Sequence, residues 1–131
     1  MLKILTVVPL EKVKYGKVFP AIIRALDLTQ DKSHEIMFIH DGITAGTTEY
    51  VIECLNKIQA SMTSRGYNIR IKRVPTDFNL HGKNAPAKWA LEQLEKGIDY
   101  ALVIDDGSRK DIPYFVEQCK KAGVECLVVV S

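Results

Sequence analysis

The residue types that could do chemistry gather in three short stretches of this 131-residue chain. The first covers residues 40–49 and reads HDGITAGTTE. Its glycines would let the backbone approach a ligand closely, and its threonine hydroxyls stand where a helix N-terminus favours an anion. An ordinary strand-to-helix turn with a threonine N-cap explains the pattern equally well. The candidate ligand-binding residues in this stretch are Asp41, Gly42, Gly46, Thr47 and Thr48.

The second stretch, PTDFNLHGKNAP at residues 75–86, places an acid, an imidazole and a cation close together. Lys83 stands at the start of an expected helix, where the dipole is already positive, so it costs stability unless an anion binds there. A phosphate contact is therefore favoured over the alternative, a solvated loop with a flexible lysine. The candidate ligand-binding residues are His81, Gly82, Lys83 and, further along the helix, Lys88.

The third stretch is DDGSRKD at residues 105–111. Its adjacent carboxylates could meet ribose hydroxyls, although successive side chains of a strand point to opposite faces. The glycine and serine that follow could offer backbone N–H groups to a phosphate, and a type I turn with exposed charges is the alternative. Neither these aspartates nor the earlier His40 and Asp41 show a fixed metal-ligand spacing, so no metal and no other cofactor is predicted. The candidates are Asp105, Asp106, Gly107 and Ser108.

Short apolar runs with helical patterns between them must position these stretches. Four of the runs are continuous, as in parallel strands covered on both faces, and one alternates with charges, as in an edge strand. The alternation of strands and helices predicts one domain over residues 1–131 with an α/β fold: a Rossmann-like three-layer sandwich with a five-stranded, mostly parallel sheet of order 3-2-1-4-5. The strands are expected at residues 4–8, 36–39, 69–74, 100–104 and 126–130.

Helices are expected between the strands. The first ends near Thr29, and the second carries an apolar stripe from Val51 to Met62. The third and fourth begin near residues 84 and 111, each with a proline in its first turn, and Trp89 belongs to the core. Ligands bind such sheets at the carboxyl ends of the strands, where the strand order reverses. The three stretches described above fall at those ends.

Composition narrows the range of partners. Lys and Arg number 18 against 16 Asp and Glu, for a net charge of +2. This balance excludes nucleic-acid binding through charge alone, so nucleic acid is not an expected partner. No apolar stretch approaches the roughly 18 residues of a membrane span, so no membrane partner is expected. Three cysteines without disulfide or metal spacing predict a cytoplasmic protein.

The order of these motifs resembles a known family. Residues 40–48 look like the hGGAxGAD loop of the YspA-like family of the SLOG superfamily, and residues 74–88 are similar to its pAdW…hGkaAGpiRN segment. Residues 103–108, with AGVEC at 122–126, resemble its aFpgGxGT…A…aGipV ending. The family's glycine-serine-arginine turn after the first strand is replaced by PLEK at residues 9–12. The resemblance implies a Rossmann-like binder of a nucleotide or nucleotide derivative, of a kind often encoded by bacteria and phages.

Three functions are compatible with these observations. The first is a sensor or sequestering module for a phosphorylated, nucleotide-type small molecule, in which the lysines neutralise phosphate and the paired aspartates meet sugar hydroxyls. The second is an N-glycosidase or phosphoribohydrolase, for which Glu49 and Asp77 are the candidate catalytic carboxylates. The third is a small phage-type protein that inhibits a host protein. A homo-oligomer is a further expectation for a small domain of this class.

Overall fold

The computed structural model describes residues 1–29, 32–43 and 46–131. The described residues form a five-stranded sheet in which every pairing is parallel and the order is β3-β2-β1-β4-β5. The predicted α/β class and strand order are confirmed. The strands are β1 (Leu2–Val7), β2 (Glu35–His40), β3 (Asn68–Arg73), β4 (Tyr100–Asp105) and β5 (Glu125–Val130).

Four longer helices of the described chain connect these strands, and one short helix precedes the third of them. The helices are α1 (Tyr15–Thr29), α2 (Thr47–Thr63), α3 (Phe78–His81), α4 (Ala85–Lys96) and α5 (Ile112–Lys121), with a 3₁₀ turn at Gly82–Asn84 between α3 and α4. Prolines stand in the first turns of α4 and α5, where a missing N–H costs little, as predicted. None of the helices in the described ranges is long and apolar enough to cross a membrane.

The core lies in two layers, one on each face of the sheet. Because successive strand residues point to opposite faces, Ile4 packs with α1 and α2, while its neighbour Leu5 packs with α4 and α5. The apolar stripe of α2 is buried as predicted. Trp89 is also in the core as predicted, and its indole N–H donates to the carbonyl oxygen of Val74 at 2.7 Å.

The two edge strands differ in character. Ile69 of β3 is buried, whereas the charged residues between its apolar positions are exposed, as an edge strand predicts. The opposite edge, β5, carries the continuous apolar run that is typical of a strand covered on both faces. The structure instead leaves Val128 and Val130 38% and 75% exposed. A strand at the end of the sheet is less completely covered by the helical layers, so its apolar run alone does not show burial.

The connection from β3 to α4 is partly helical rather than a loop throughout. Asp77 caps α3, because its side chain accepts a hydrogen bond from the backbone N–H of Leu80 at 2.9 Å. Lys83 consequently lies in the 3₁₀ turn that leads into α4. In the first chemical stretch, Thr44 and Ala45 lie outside the described residues.

Candidate functional site

The segments that carry the predicted site residues follow the carboxyl ends of parallel strands, so they lie at one edge of the sheet. Residue 41 begins the segment after β2, residue 74 the segment after β3 and residue 106 the segment after β4. The strand order reverses at β1, which has β2 on one side and β4 on the other. The crevice outside that reversal, between the segments after β1 and β4, is where ligands of such sheets bind.

The N-terminus of α2 is closed by the segment that follows β1. The hydroxyl of Thr47 donates to the carbonyl oxygen of Glu11 at 2.6 Å and accepts from the N–H of Val13 at 3.2 Å. A Cβ atom added to Gly46 would collide with the carbonyl oxygen of Leu10. The chain's own backbone therefore makes the close approach that this glycine allows, and Thr47 is fully buried.

Asp41 and Thr48 also bind each other. One carboxylate oxygen of Asp41 accepts from the hydroxyl of Thr48 at 2.8 Å and from the N–H of Ile43 at 3.0 Å, and both side chains are buried. Gly42 has a positive φ of 74°, and the side chain of Arg73 packs against its Cα. These contacts give the polar residues of the first stretch partners within the protein and hold the turn between β2 and α2.

His40, at the end of β2, is a buried neutral histidine. It is 5% exposed, and its Nδ1 accepts a hydrogen bond from the N–H of Gly42 at 3.0 Å. Burial lowers its pKa from the ordinary value of 6.5, and the positive charge of Arg73 lowers it further, against the opposing effect of Asp41. The neutral form with its proton on Nε2 fits this hydrogen bond.

The third stretch forms a turn whose backbone N–H groups point at its own aspartates. Asp105 accepts from the N–H of Gly107 at 2.9 Å, and Asp106 accepts from both the N–H and the hydroxyl of Ser108. The bonds from Ser108 lower the pKa of Asp106, which keeps this exposed carboxyl ionised at neutral pH. Asp105 is half-buried, and both aspartates use Oδ1 in these bonds.

Arg109 joins the segment after β4 to the end of β1, a role that sequence reasoning missed. Its guanidinium donates through two nitrogens to the carboxylate of Asp111, at 3.0 and 2.7 Å, and through the third to the carbonyl oxygen of Val8 at 3.3 Å. The side chain is only 8% exposed. A two-pronged arginine–carboxylate contact is geometrically specific, so this clamp fixes one wall of the crevice. The Arg-x-Asp spacing was the available signal.

A groove of about 270 Å³ lies at the crevice, between the segment after β1, the start of α4 and the segment after β4. Of the predicted residues it brings together Lys83 and Ser108, and it adds Leu10, Asn84 and Lys110. Lys83 takes part in none of the ion pairs among the described residues. Lys110 contacts the carbonyl oxygen of Gly107 at 3.3 Å. We call this space the switch-point groove.

Other predicted residues lie elsewhere. Asp77 and His81 line a smaller cavity with Trp89 on another flank of α4, and exposed Lys88 lines neither space. Gly82 is in the 3₁₀ turn with a positive φ of 57°. Glu49 is exposed in the first turn of α2 and forms an ion pair with Lys12 at 2.9 Å. The two candidate catalytic carboxylates are therefore each engaged in separate local contacts.

Within the described residues, no group of three or more His, Cys, Asp or Glu side chains is placed to hold a metal ion. A scan against protein-family models, a search of curated proteins and a search of solved structures each find no match to this chain. Function must therefore be inferred from the site itself.

Proposed function

We propose that this protein binds a phosphorylated, nucleotide-type small molecule in the switch-point groove and acts as a sensor or sequestering module. The observation that carries this proposal is the position of Lys83. It lies where the strand order reverses, beside Ser108 and Lys110, and without a carboxylate partner among the described residues. A crevice at the reversal of strand order is the usual ligand site of an open parallel sheet.

The chemistry of the groove suits a phosphate. Lys83 and Lys110 bring two ammonium groups, and Ser108 adds a hydroxyl. The start of α4 adds the partial positive charge of a helix N-terminus, and its N-cap residue Asn84 makes no capping bond with its side chain. The charge of Arg109 is neutralised by Asp111. In this proposal Arg109 therefore fixes the segment after β4 that lines the groove, and it does not bind the anion.

Size and sugar recognition favour a mononucleotide. A volume of about 270 Å³ is below the roughly 300–1,000 Å³ range of pockets for drug-sized ligands, which suits a nucleoside monophosphate better than a dinucleotide. Asp105 and Asp106 remain the candidates for sugar hydroxyls, each through the oxygen that its own turn does not use. In this arrangement Gly46 and Thr47 support the site by packing the segment after β1.

Two further observations support the proposal. The motifs at residues 40–48 and 74–88 resemble the nucleotide-binding YspA-like family. The three cysteines are unpaired, and Cys54 and Cys119 are buried, which suits a protein of the reducing cytoplasm.

Isothermal titration calorimetry with adenosine monophosphate and with adenosine tests this function. We expect the monophosphate to bind more tightly than the nucleoside, and Lys83→Gln to weaken its binding by about tenfold or more, because the phosphate loses a charge-assisted contact. Lys88→Gln is the matched control, since it removes the same charge from an exposed position of α4 outside the groove. Equal affinity for both ligands, or equal losses in both variants, would contradict the proposal.

A further inference from the structure

Strand β5 leaves one edge of the sheet open. Among the described residues it pairs only with β4, so no strand lies beside its outer edge. The N–H of Ser131, just past β5, donates to the carbonyl oxygen of Asp105 of β4 at 2.8 Å. The N–H and C=O groups of successive strand residues turn to opposite edges, so the odd-numbered residues of β5 face β4 in the same way. The N–H and C=O groups of Cys126, Val128 and Val130 therefore point outward.

The side chains of β5 do not protect this edge. The opposite edge strand, β3, carries charged side chains such as Arg70 and Lys72, which are exposed. The only charge in β5 is Glu125 at its start, and Val128 and Val130 are 38% and 75% exposed. Charged residues and prolines keep an edge strand from pairing with another chain, whereas a long apolar edge favours such pairing. The outer edge of β5 therefore favours a further strand of apolar composition.

The sequence of β5 matches itself in the antiparallel direction. With Val128 opposite Val128 of a second copy, Cys126 lies opposite Val130 and Leu127 lies opposite Val129. Each outward-pointing residue can then exchange both N–H···O bonds with an outward-pointing residue of the other copy. A register shifted by two residues places an outward-pointing residue of each strand opposite a position outside β5. The register centred on Val128 is therefore the one that uses the whole edge.

The charge of β5 is also compatible with a second copy in this register. Glu125 lies opposite Ser131 of the other copy, so no charged side chain faces the apolar residues of the strand. The two Glu125 carboxylates stand at opposite ends of the strand pair, about 20 Å apart, which exceeds the Debye length of about 8 Å. A parallel pairing in register would set them side by side, where like charges repel.

The helical layer fits the same arrangement. Helix α5 contacts both β4 and β5, so it lies over the last two strands. Neighbouring strands are about 4.8 Å apart, which places the α5 helices of two paired copies about 10 Å apart, a normal distance for packed helices. A contact about 20 Å long that spans the sheet and α5 buries on the order of 1,000 Å² in total. This area is at the lower limit for a specific interface, so a weak dimer is expected.

We propose that β5 is a dimerisation edge, at which a second copy of this chain pairs antiparallel about a two-fold axis at Val128. The two sheets then form one continuous sheet. The assembly closes at two copies, because each β5 covers the outer edge of the other. The switch-point groove is lined by residues outside β5, so the dimer does not depend on the phosphate site of the proposed function.

Sedimentation velocity of the full chain at about 5 to 500 μM tests this inference. The wild type should change from the mass of one chain to that of two, with a Kd on the order of 10–100 μM. Val128→Lys should raise this Kd about tenfold or more, because it sets two ammonium groups directly opposite each other. Leu80→Lys is the matched control, since Leu80 is an apolar residue of α3 that is 71% exposed away from this edge. This control should dimerise as the wild type does.

A mixture of two charge variants tests the register itself. Val128→Lys and Val128→Glu should each stay monomeric, whereas an equimolar mixture should form a heterodimer, because the lysine then faces the glutamate. Circular dichroism checks that both variants are folded. A mixture that stays monomeric while both variants are folded would overturn the register centred on Val128.

Hydrogen exchange followed by NMR tests the backbone contacts. At about 500 μM the outward amides of Cys126, Val128 and Val130 should be protected in the wild type. In Val128→Lys they should exchange rapidly, while the amides of Leu127 and Val129 stay protected by β4. Rapid exchange of the outward amides in the wild type, the mass of one chain at about 500 μM, assembly beyond two copies, or equal weakening in the lysine variant and its control would overturn the proposal.

Discussion

Replacing Gly46 by alanine tests how the β1–α1 segment closes the N-terminus of α2. Gly46 has extended backbone dihedrals, φ −133° and ψ −152°, that alanine can also adopt. The substitution therefore acts through contact rather than through dihedral strain. Its new Cβ would collide with the carbonyl oxygen of Leu10, which is backbone and can yield only if the whole segment moves away from α2.

The expected cost follows from the bonds that such a movement breaks. Thr47 would lose the acceptor on Glu11 and the donor on Val13, each worth about 1 kcal/mol. Exposure of buried Thr47 adds a smaller amount, and the reduced freedom of alanine in the unfolded chain returns about 0.4–1 kcal/mol. We expect the free energy of unfolding to fall by about 1–2 kcal/mol, or the melting temperature by about 4–8 °C for a chain of this length.

Urea and thermal denaturation followed by circular dichroism measure this change. Gly16→Ala is the matched control, because Gly16 lies in α1 and a Cβ there meets no atom within 4 Å. It should stabilise the protein by about 0.5–1 kcal/mol through helix propensity. If Gly46→Ala were as stable as wild type, the segment after β1 would not pack against α2 as described.

Three further substitutions test the account. His40→Asn should flatten the pH dependence of stability. The pKa of His40 in the folded protein lies below its ordinary 6.5, so the unfolded chain takes up the proton first as the pH falls. The free energy of unfolding of the wild type should therefore decrease below about pH 6.5, by at most about 1.4 kcal/mol per pH unit. Urea denaturation between pH 5 and 8 measures this decrease. Gln93→Leu should raise the melting temperature, because it removes a buried amide nitrogen that has no hydrogen-bond partner. Gln59→Leu should lower the melting temperature, because it removes a 2.7 Å hydrogen bond to the carbonyl oxygen of Ile69. A change in the same direction for both variants would contradict the difference in hydrogen bonding between the two glutamines. Trp89→Phe should cost about 1 kcal/mol in the same assay through loss of the bond to Val74, and no loss would show that this bond is not made.

Most of the fold could be predicted from local patterns. Apolar runs located the strands, and Gly97 and Gly123 stand just past the ends of α4 and α5, where a glycine commonly follows a helix. The sequence did not predict α3, because its four residues, FNLH, are too few to show a helical pattern of apolar residues. The hydrogen bond that caps α3 at Asp77 is visible only in the structure. The exposure of Val128 was missed because burial depends on the neighbours of a strand as well as on its own residues.

The candidate site was less predictable, because its decisive contacts join distant parts of the chain. The spacing of glycines and threonines in the first stretch cannot show that Thr47 bonds to Glu11, 36 residues earlier. Lys83 and Ser108 line the same groove although β2 and β1 separate β3 from β4 in the sheet, because Lys83 leads into α4, whose start lies beside the segment after β4.

The most direct test of the central claim, a phosphate site in the switch-point groove, is a map of backbone amide shifts by ¹H–¹⁵N NMR as adenosine monophosphate is added to the full chain. The account predicts that the largest shifts fall at Leu10, Lys83 and Ser108, around one groove. Largest shifts at Gly46 and Thr47, or no shifts at about 10 mM ligand, would contradict it.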